Sequence, residues 1–150
     1  MTPFIGGKCT PGIGDVGRIT RVLYVDDDIS FLEIVKVILE KDGEFSITVS
    51  TEGEEALNIL ERGEFDIVLS DCKMVRMDGA TLREKVRMMF PSMPFIFLTG
   101  REKKEGISGM LDSNTWYLQK GGDPAVQFVR LADLIRICTR TQSQGCKSHH

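Results

Sequence analysis

Apolar and polar residues follow each other along this chain in two rhythms. Residues 21–26 (RVLYVD) form a short apolar run that stops at three consecutive acids, the pattern of a strand buried on both faces. Residues 30–41 then place Phe31, Ile34, Val35, Ile38 and Leu39 on one helical face. Ser30 and Glu33 stand at capping-box spacing, and Gly43 closes the helix. Residues 45–50 alternate as a strand. Thr51 and Glu54 repeat the capping signal before a helix with Ala56, Leu57 and Leu60, closed by Gly63. Residues 65–71 (FDIVLSD) read as the next buried strand and 78–90 as the next helix. Pro91 and Pro94 bracket the turn into a strand at 95–99 (FIFLT). A weak helix over 102–111 precedes a strand at 116–119. Asp123 and Pro124 then supply an N-cap and a first-turn proline for a last helix bearing Val126, Val129, Ala132, Leu134 and Ile135.

Five strands and five helices in strict alternation predict an α/β fold, a doubly wound parallel sheet covered by helices on both faces. The flanks lack any such period. Residues 1–20 hold five glycines and two prolines and read as a flexible arm; residues 139–150 (TRTQSQGCKSHH) read as a flexible tail. The domain is therefore expected to span 21–138.

With 150 residues, 41% hydrophobic and 27% charged, the chain suits one domain with a filled core. No stretch is long and apolar enough for a membrane span, and the start lacks a signal-peptide pattern, so a cytoplasmic protein is expected. The formal net charge is −3. The flanks carry only Lys8, Asp15, Arg18, Arg140 and Lys147, a net of +3, so residues 21–138 have a net of −6. That balance argues against direct nucleic-acid binding, which calls for a clustered basic face. Cys9, Cys72, Cys138 and Cys146 show no metal-site spacing and read as reduced thiols.

In an open parallel sheet, ligands bind beyond the carboxyl ends of the strands. Those ends hold Asp26, Asp27 and Asp28 after the first strand, Asp71 after the third, Thr99 after the fourth and Lys120 after the fifth. Asp28 by itself reads as the cap of the following helix. Carboxylates brought together repel one another unless a hard cation such as Mg²⁺ lies between them. A Lys and a Thr beside that ion would complete a clamp for phosphoryl oxygens.

Residues 21–138 resemble the receiver domain of two-component response regulators. The resemblance rests on VLYVDDD at 22–28, IVLSD at 67–71, the run from Met74 to Gly79, FIFLTG at 95–100 and YLQK at 117–120. It implies a flavodoxin-like five-stranded sheet in the order 2-1-3-4-5. It also implies that Asp71 accepts a phosphoryl group from a sensor histidine kinase or phosphotransfer protein. Asp27, Asp71 and the backbone carbonyl of Lys73 would bind Mg²⁺ directly and Asp26 through water. Lys120 and Thr99 would bind the phosphoryl oxygens, and Thr99 with Tyr117 would form the switch. The chain would catalyse only its own phosphotransfer and dephosphorylation. Its docking surface would be the face of the 102–111 helix, the fifth strand and the last helix, including Tyr117 and the helix bearing Phe128, in a monomer or weak dimer. The short tail leaves no length for an output domain.

Three features depart from the family pattern. Val75 and Gly121 stand where proline is usual, so the loop after Asp71 is less constrained and no cis X–Pro bond can form after Lys120. Lys73 and Arg101 place cations two residues after Asp71 and Thr99, positions that tune dephosphorylation in the family. Two other readings compete. A haloacid-dehalogenase-like phosphatase would use Asp26 as nucleophile and Asp28 as acid/base, but leaves Asp71 without a role. A receiver-like module could dock partners without being phosphorylated.

Overall fold

The computed structural model describes residues 19–72, 74, 76–99, 114–119 and 123–147, with the backbone alone for Thr99 and residues 140–147. Its elements are β1 (Thr20–Val25), α1 (Ile29–Glu40), β2 (Phe45–Ser50), α2 (Gly53–Arg62), β3 (Ile67–Asp71), α3 (Gly79–Met89), β4 (Phe95–Thr99), β5 (Thr115–Gln119) and α4 (Pro124–Lys147). The five strands form one sheet in the order β2-β1-β3-β4-β5, and every neighbouring pair is parallel. The expected architecture and strand order are therefore present. Four helices lie among the described residues; the helix expected over 102–111 falls outside them, as do residues 1–18 of the arm expected over 1–20, whose Thr20 opens β1.

Strand periodicity of two divides the core into two layers. Val22, Tyr24, Ile67, Leu69, Ile96 and Leu98 point one way and pack with Leu32, Val35 and Leu39 of α1 and Leu131, Ile135 and Cys138 of α4. Leu23, Val25, Val68, Phe95 and Phe97 point the other way, against Ala56 and Leu60 of α2 and Leu82 and Val86 of α3. Burial on both faces explains why β1, β3 and β4 read as unbroken apolar runs.

Several local expectations are corrected. Of the two caps legible in the sequence for α1, Asp28 serves and Ser30 does not: the Asp28 backbone is extended and its side chain accepts from the Phe31 amide. The cap position of α2 is Glu52, not Thr51, and no side chain closes it. In α1 the buried stripe is Leu32, Val35 and Leu39, whereas Ile34 and Ile38 face outward. This helix is apolar on most sides, so periodicity alone does not choose the face. In α4, Val126 and Val129 are exposed, and the burial belongs to Gln127, Leu131, Ala132, Ile135 and Cys138. The Asp123 cap is present, its carboxylate accepting from the Ala125 amide.

α4 also continues to Lys147, past the point where the sequence pattern predicts a flexible tail. A missing apolar period reports the absence of a buried stripe, not of a helix. Once a helix is nucleated, each further residue adds a hydrogen bond, and residues 139–147 contain no proline. At 1.5 Å per residue, α4 is about 36 Å long.

Two side-chain devices secure the edge and the last helix. β2 is an edge strand, and the backbone amide and carbonyl of the buried Ile47 lie on its open side, where they could pair with another chain. Glu40 accepts from the Ile47 amide and Lys36 donates to its carbonyl, both at 2.8 Å. At the far end, the Arg136 guanidinium forms a two-pronged pair with Glu44, at 2.7 and 2.8 Å, and lies 5.7 Å from the centre of the Phe45 ring. This ties α4 to the start of β2.

The hydrogen bond from Arg136 holds the Glu44 carboxyl below its ordinary range. A depressed carboxyl pKa stabilises the folded state above the unfolded value, and the contribution is lost as pH falls through the folded value. Both side chains are partly exposed, which limits the pair to about 1 kcal/mol. Glu44→Gln should lower the unfolding free energy at neutral pH by that amount, with the gap to the parent protein closing as pH falls through the depressed folded-state value. Parallel urea titrations at neutral pH and in acid check this.

Candidate functional site

β1 and β3 end side by side. With Val25 paired to Ser70, the chain leaves the sheet at Asp26 and Asp71 together. One carboxylate oxygen from each of Asp26, Asp27 and Asp71 lies within 4.8 Å of the others. Their settings differ: Asp26 is fully buried, Asp71 half-buried and Asp27 exposed.

Asp26 is held on both oxygens. Oδ1 accepts from the Asp28 amide at 3.0 Å, and Oδ2 accepts from the Tyr24 hydroxyl at 3.0 Å. The first of these bonds turns the chain out of β1, which sets Asp28 in the extended conformation of a cap and starts α1 one residue later. Asp28 is thus committed to the helix, and the acid cluster comprises Asp26, Asp27 and Asp71. Burial, followed by the nearby Asp26 carboxylate, raises the Tyr24 hydroxyl far above the ordinary tyrosine range, so Tyr24 acts only as a donor.

The floor of the site depends on a close approach. The Gly79 amide donates to the Cys72 carbonyl at 2.9 Å, and a Cβ at Gly79 would fall 2.5 Å from the Asp71 carbonyl oxygen. Only glycine lets the start of α3 approach the end of β3 this closely. On the rim, Arg76 pairs with Glu52 at 2.8 Å, joining the loop after β3 to the start of α2.

Thr99 ends β4 one register step beyond the level of Asp71, since Asp71 pairs with Leu98. Its partner on β5 is Gln119, two residues after Tyr117. Tyr117 is 37% exposed. Lys73, Arg101, Lys120 and Gly121 lie outside the described residues. The sequence reading missed Tyr24 as a partner of Asp26. The signal was present: residues two apart on a strand share a face, and a phenol there has the reach for a carboxylate.

Three carboxylates this close repel by about 1 kcal/mol per pair in water and about 3 at an effective dielectric constant near 20. An all-oxygen donor set with one buried and two accessible carboxylates fits a hard divalent cation of the Mg²⁺ class, which keeps several waters.

Residues 22–126 match the family model described as the response regulator receiver domain. This chain belongs to that family. Among curated proteins, the receiver is 37% identical over 79 residues to the transcriptional regulatory protein GlrR of Escherichia coli, covering 53% of this chain and 18% of that protein. It is 29% identical over 126 residues to the response regulator MprA of Mycolicibacterium vanbaalenii, covering 83% and 54%. It thus spans about a fifth to a half of these relatives. Among solved structures, a response regulator receiver domain protein from Clostridium thermocellum superposes with a TM-score of 0.75 at 22% identity, covering 84% of this chain and 98% of that one. The chemotaxis protein CheY4 of Vibrio cholerae gives 0.65 at 29% identity, covering 76% and 97%. The chain is a receiver of the two-component type, a signalling module, and the phosphatase reading is set aside: its acid/base, Asp28, is the cap of α1. No described helix is long and apolar enough to cross a membrane.

Relief of the repulsion predicts that Mg²⁺ stabilises the receiver. At a hundred times its Kd the ion should add about 2.7 kcal/mol. Asp27→Asn should blunt that gain and be more stable than the parent in chelator. Thermal unfolding with Mg²⁺ and with chelator checks both.

Proposed function

We propose that this receiver accepts a phosphoryl group from a phosphohistidine of a sensor histidine kinase or phosphotransfer protein onto Asp71. The meeting of Asp26, Asp27 and Asp71 at the adjoining ends of β1 and β3 carries this reading. Asp71 is the half-buried member, reachable by a donor yet partly shielded from water. Its carboxylate oxygen attacks phosphorus, the P–N bond of the phosphohistidine breaks, and the electron pair leaves with the imidazole nitrogen. Asp27, Asp71 and the Lys73 carbonyl would hold Mg²⁺, with Asp26 acting through water. When bound, the ion neutralises phosphoryl oxygens and makes the phosphorus more electrophilic.

The chain's own groups do the rest. The Lys120 ammonium pairs with phosphoryl oxygens, and the Thr99 hydroxyl donates to them. The aspartyl phosphate adds about two negative charges, enough to draw Thr99 toward it and bias the Tyr117 ring inward. The change is read by a protein partner on the face that includes β5 and α4.

Acetyl phosphate with Mg²⁺ should give one phosphoryl adduct in the intact mass. The adduct should vanish in Asp71→Asn and in chelator. Persistence of the adduct in Asp71→Asn would overturn the assignment of the acceptor; no adduct in the parent protein, with Mg²⁺ bound, would favour a docking module.

Lys73 and Arg101 are assigned to shielding the phosphoryl group from water. The Lys73→Ala, Arg101→Ala double variant should lose phosphate faster than the parent protein. Equal decay, followed by radiolabel, would remove that role.

A further inference from the structure

We propose that Tyr24 is a positioning residue for the divalent cation, its buried hydroxyl holding the Asp26 carboxylate in the orientation that the ion requires. The inference rests on the reading of the acid cluster as a metal site and concerns a residue in the middle of a core strand.

Tyr24 has no exposed surface and belongs to the apolar layer under α1 and α4. A phenol in such a layer needs a hydrogen-bond partner, and the partner here is Asp26 Oδ2 at 3.0 Å. The ring is held as well: Phe31 packs edge-on against it, with centroids 6.4 Å apart, and Phe128 of α4 stacks on Phe31 at 6.3 Å. The hydroxyl is therefore fixed by packing from α1 and α4. Its bond and that of the Asp28 amide hold one oxygen each of Asp26, which fixes the plane of the carboxylate before an ion arrives. Asp27, exposed to water, has greater freedom to adjust.

Groups that orient a metal's direct ligands are worth about tenfold to a hundredfold in affinity; Asp26 reaches the ion through water, so the effect of its partner is smaller. Tyr24→Phe removes the hydroxyl and keeps the ring. We expect its Mg²⁺ Kd, from isothermal titration of the full chain, to rise severalfold. Asp26→Asn and the parent protein set the scale. Ile135→Val, a core truncation on α4, controls for lost stability and should leave the Kd unchanged. A parent-like Kd in folded Tyr24→Phe, with Asp26→Asn impaired, overturns the role of Tyr24 and leaves the metal site standing. Failure of the parent protein to bind Mg²⁺ instead overturns the metal-site reading, and with it this proposal. If Tyr24→Phe does not fold, 3-fluorotyrosine in the parent chain decides. The chain has two tyrosines, so Tyr117→Phe assigns the Tyr24 resonance. A shift that saturates with Mg²⁺ supports the proposal, and an unmoved resonance ends it.

Discussion

Val25 lies opposite Ser70 in the parallel ladder of β1 and β3, so Asp26 and Asp71 leave the sheet next to each other. The hydrogen bonds of that ladder outweigh the repulsion between the acids, because they are continuous with a core sealed on both faces. Slipping the register by one residue would turn every side chain of β1 to the opposite layer. The cluster of charge at the strand ends is thus the consequence of a register that apolar packing enforces. A site held this way has its geometry before any ligand is present.

The charge is then contained locally. Asp26, fully buried, gains the hydroxyl of Tyr24 and the amide of Asp28 as donors, which a buried carboxylate requires. One of those donors also turns the chain into α1. The same contact that satisfies the acid therefore sets the start of a helix, and the aromatic contacts of Tyr24 and Phe31 connect the acid to α4. Gly79 contributes by having no side chain, letting α3 close under Asp71.

The sequence made the elements legible where its pattern had one solution. β2 and β4 fall at the residues expected of them, since each is bounded by turn residues and has a strand's composition. Asp123 followed by Pro124 marked the last helix correctly. The reading failed where several solutions were equivalent. In α1, Ile34 and Ile38 are as apolar as Leu32, and only the placement of β1 and α4 decided which are covered. Ser30 and Asp28 were both legible as caps, and the turn at Asp26 chose Asp28. The end of α4 was missed because its final residues keep a helix without burying a stripe.

For the site, the residue types at the strand ends announced an oxygen-rich pocket and the motifs named its family. Their order along the chain also implied that Asp26 and Asp71 would meet, because a parallel sheet collects its strand ends on one edge. The differing exposure of the three acids, and the packing of Phe31 and Phe128 that fixes the Tyr24 ring beside Asp26, were decided by tertiary structure alone. Burial and packing of this kind depend on distances between segments far apart in sequence. Those distances exist only once both layers of the core have closed.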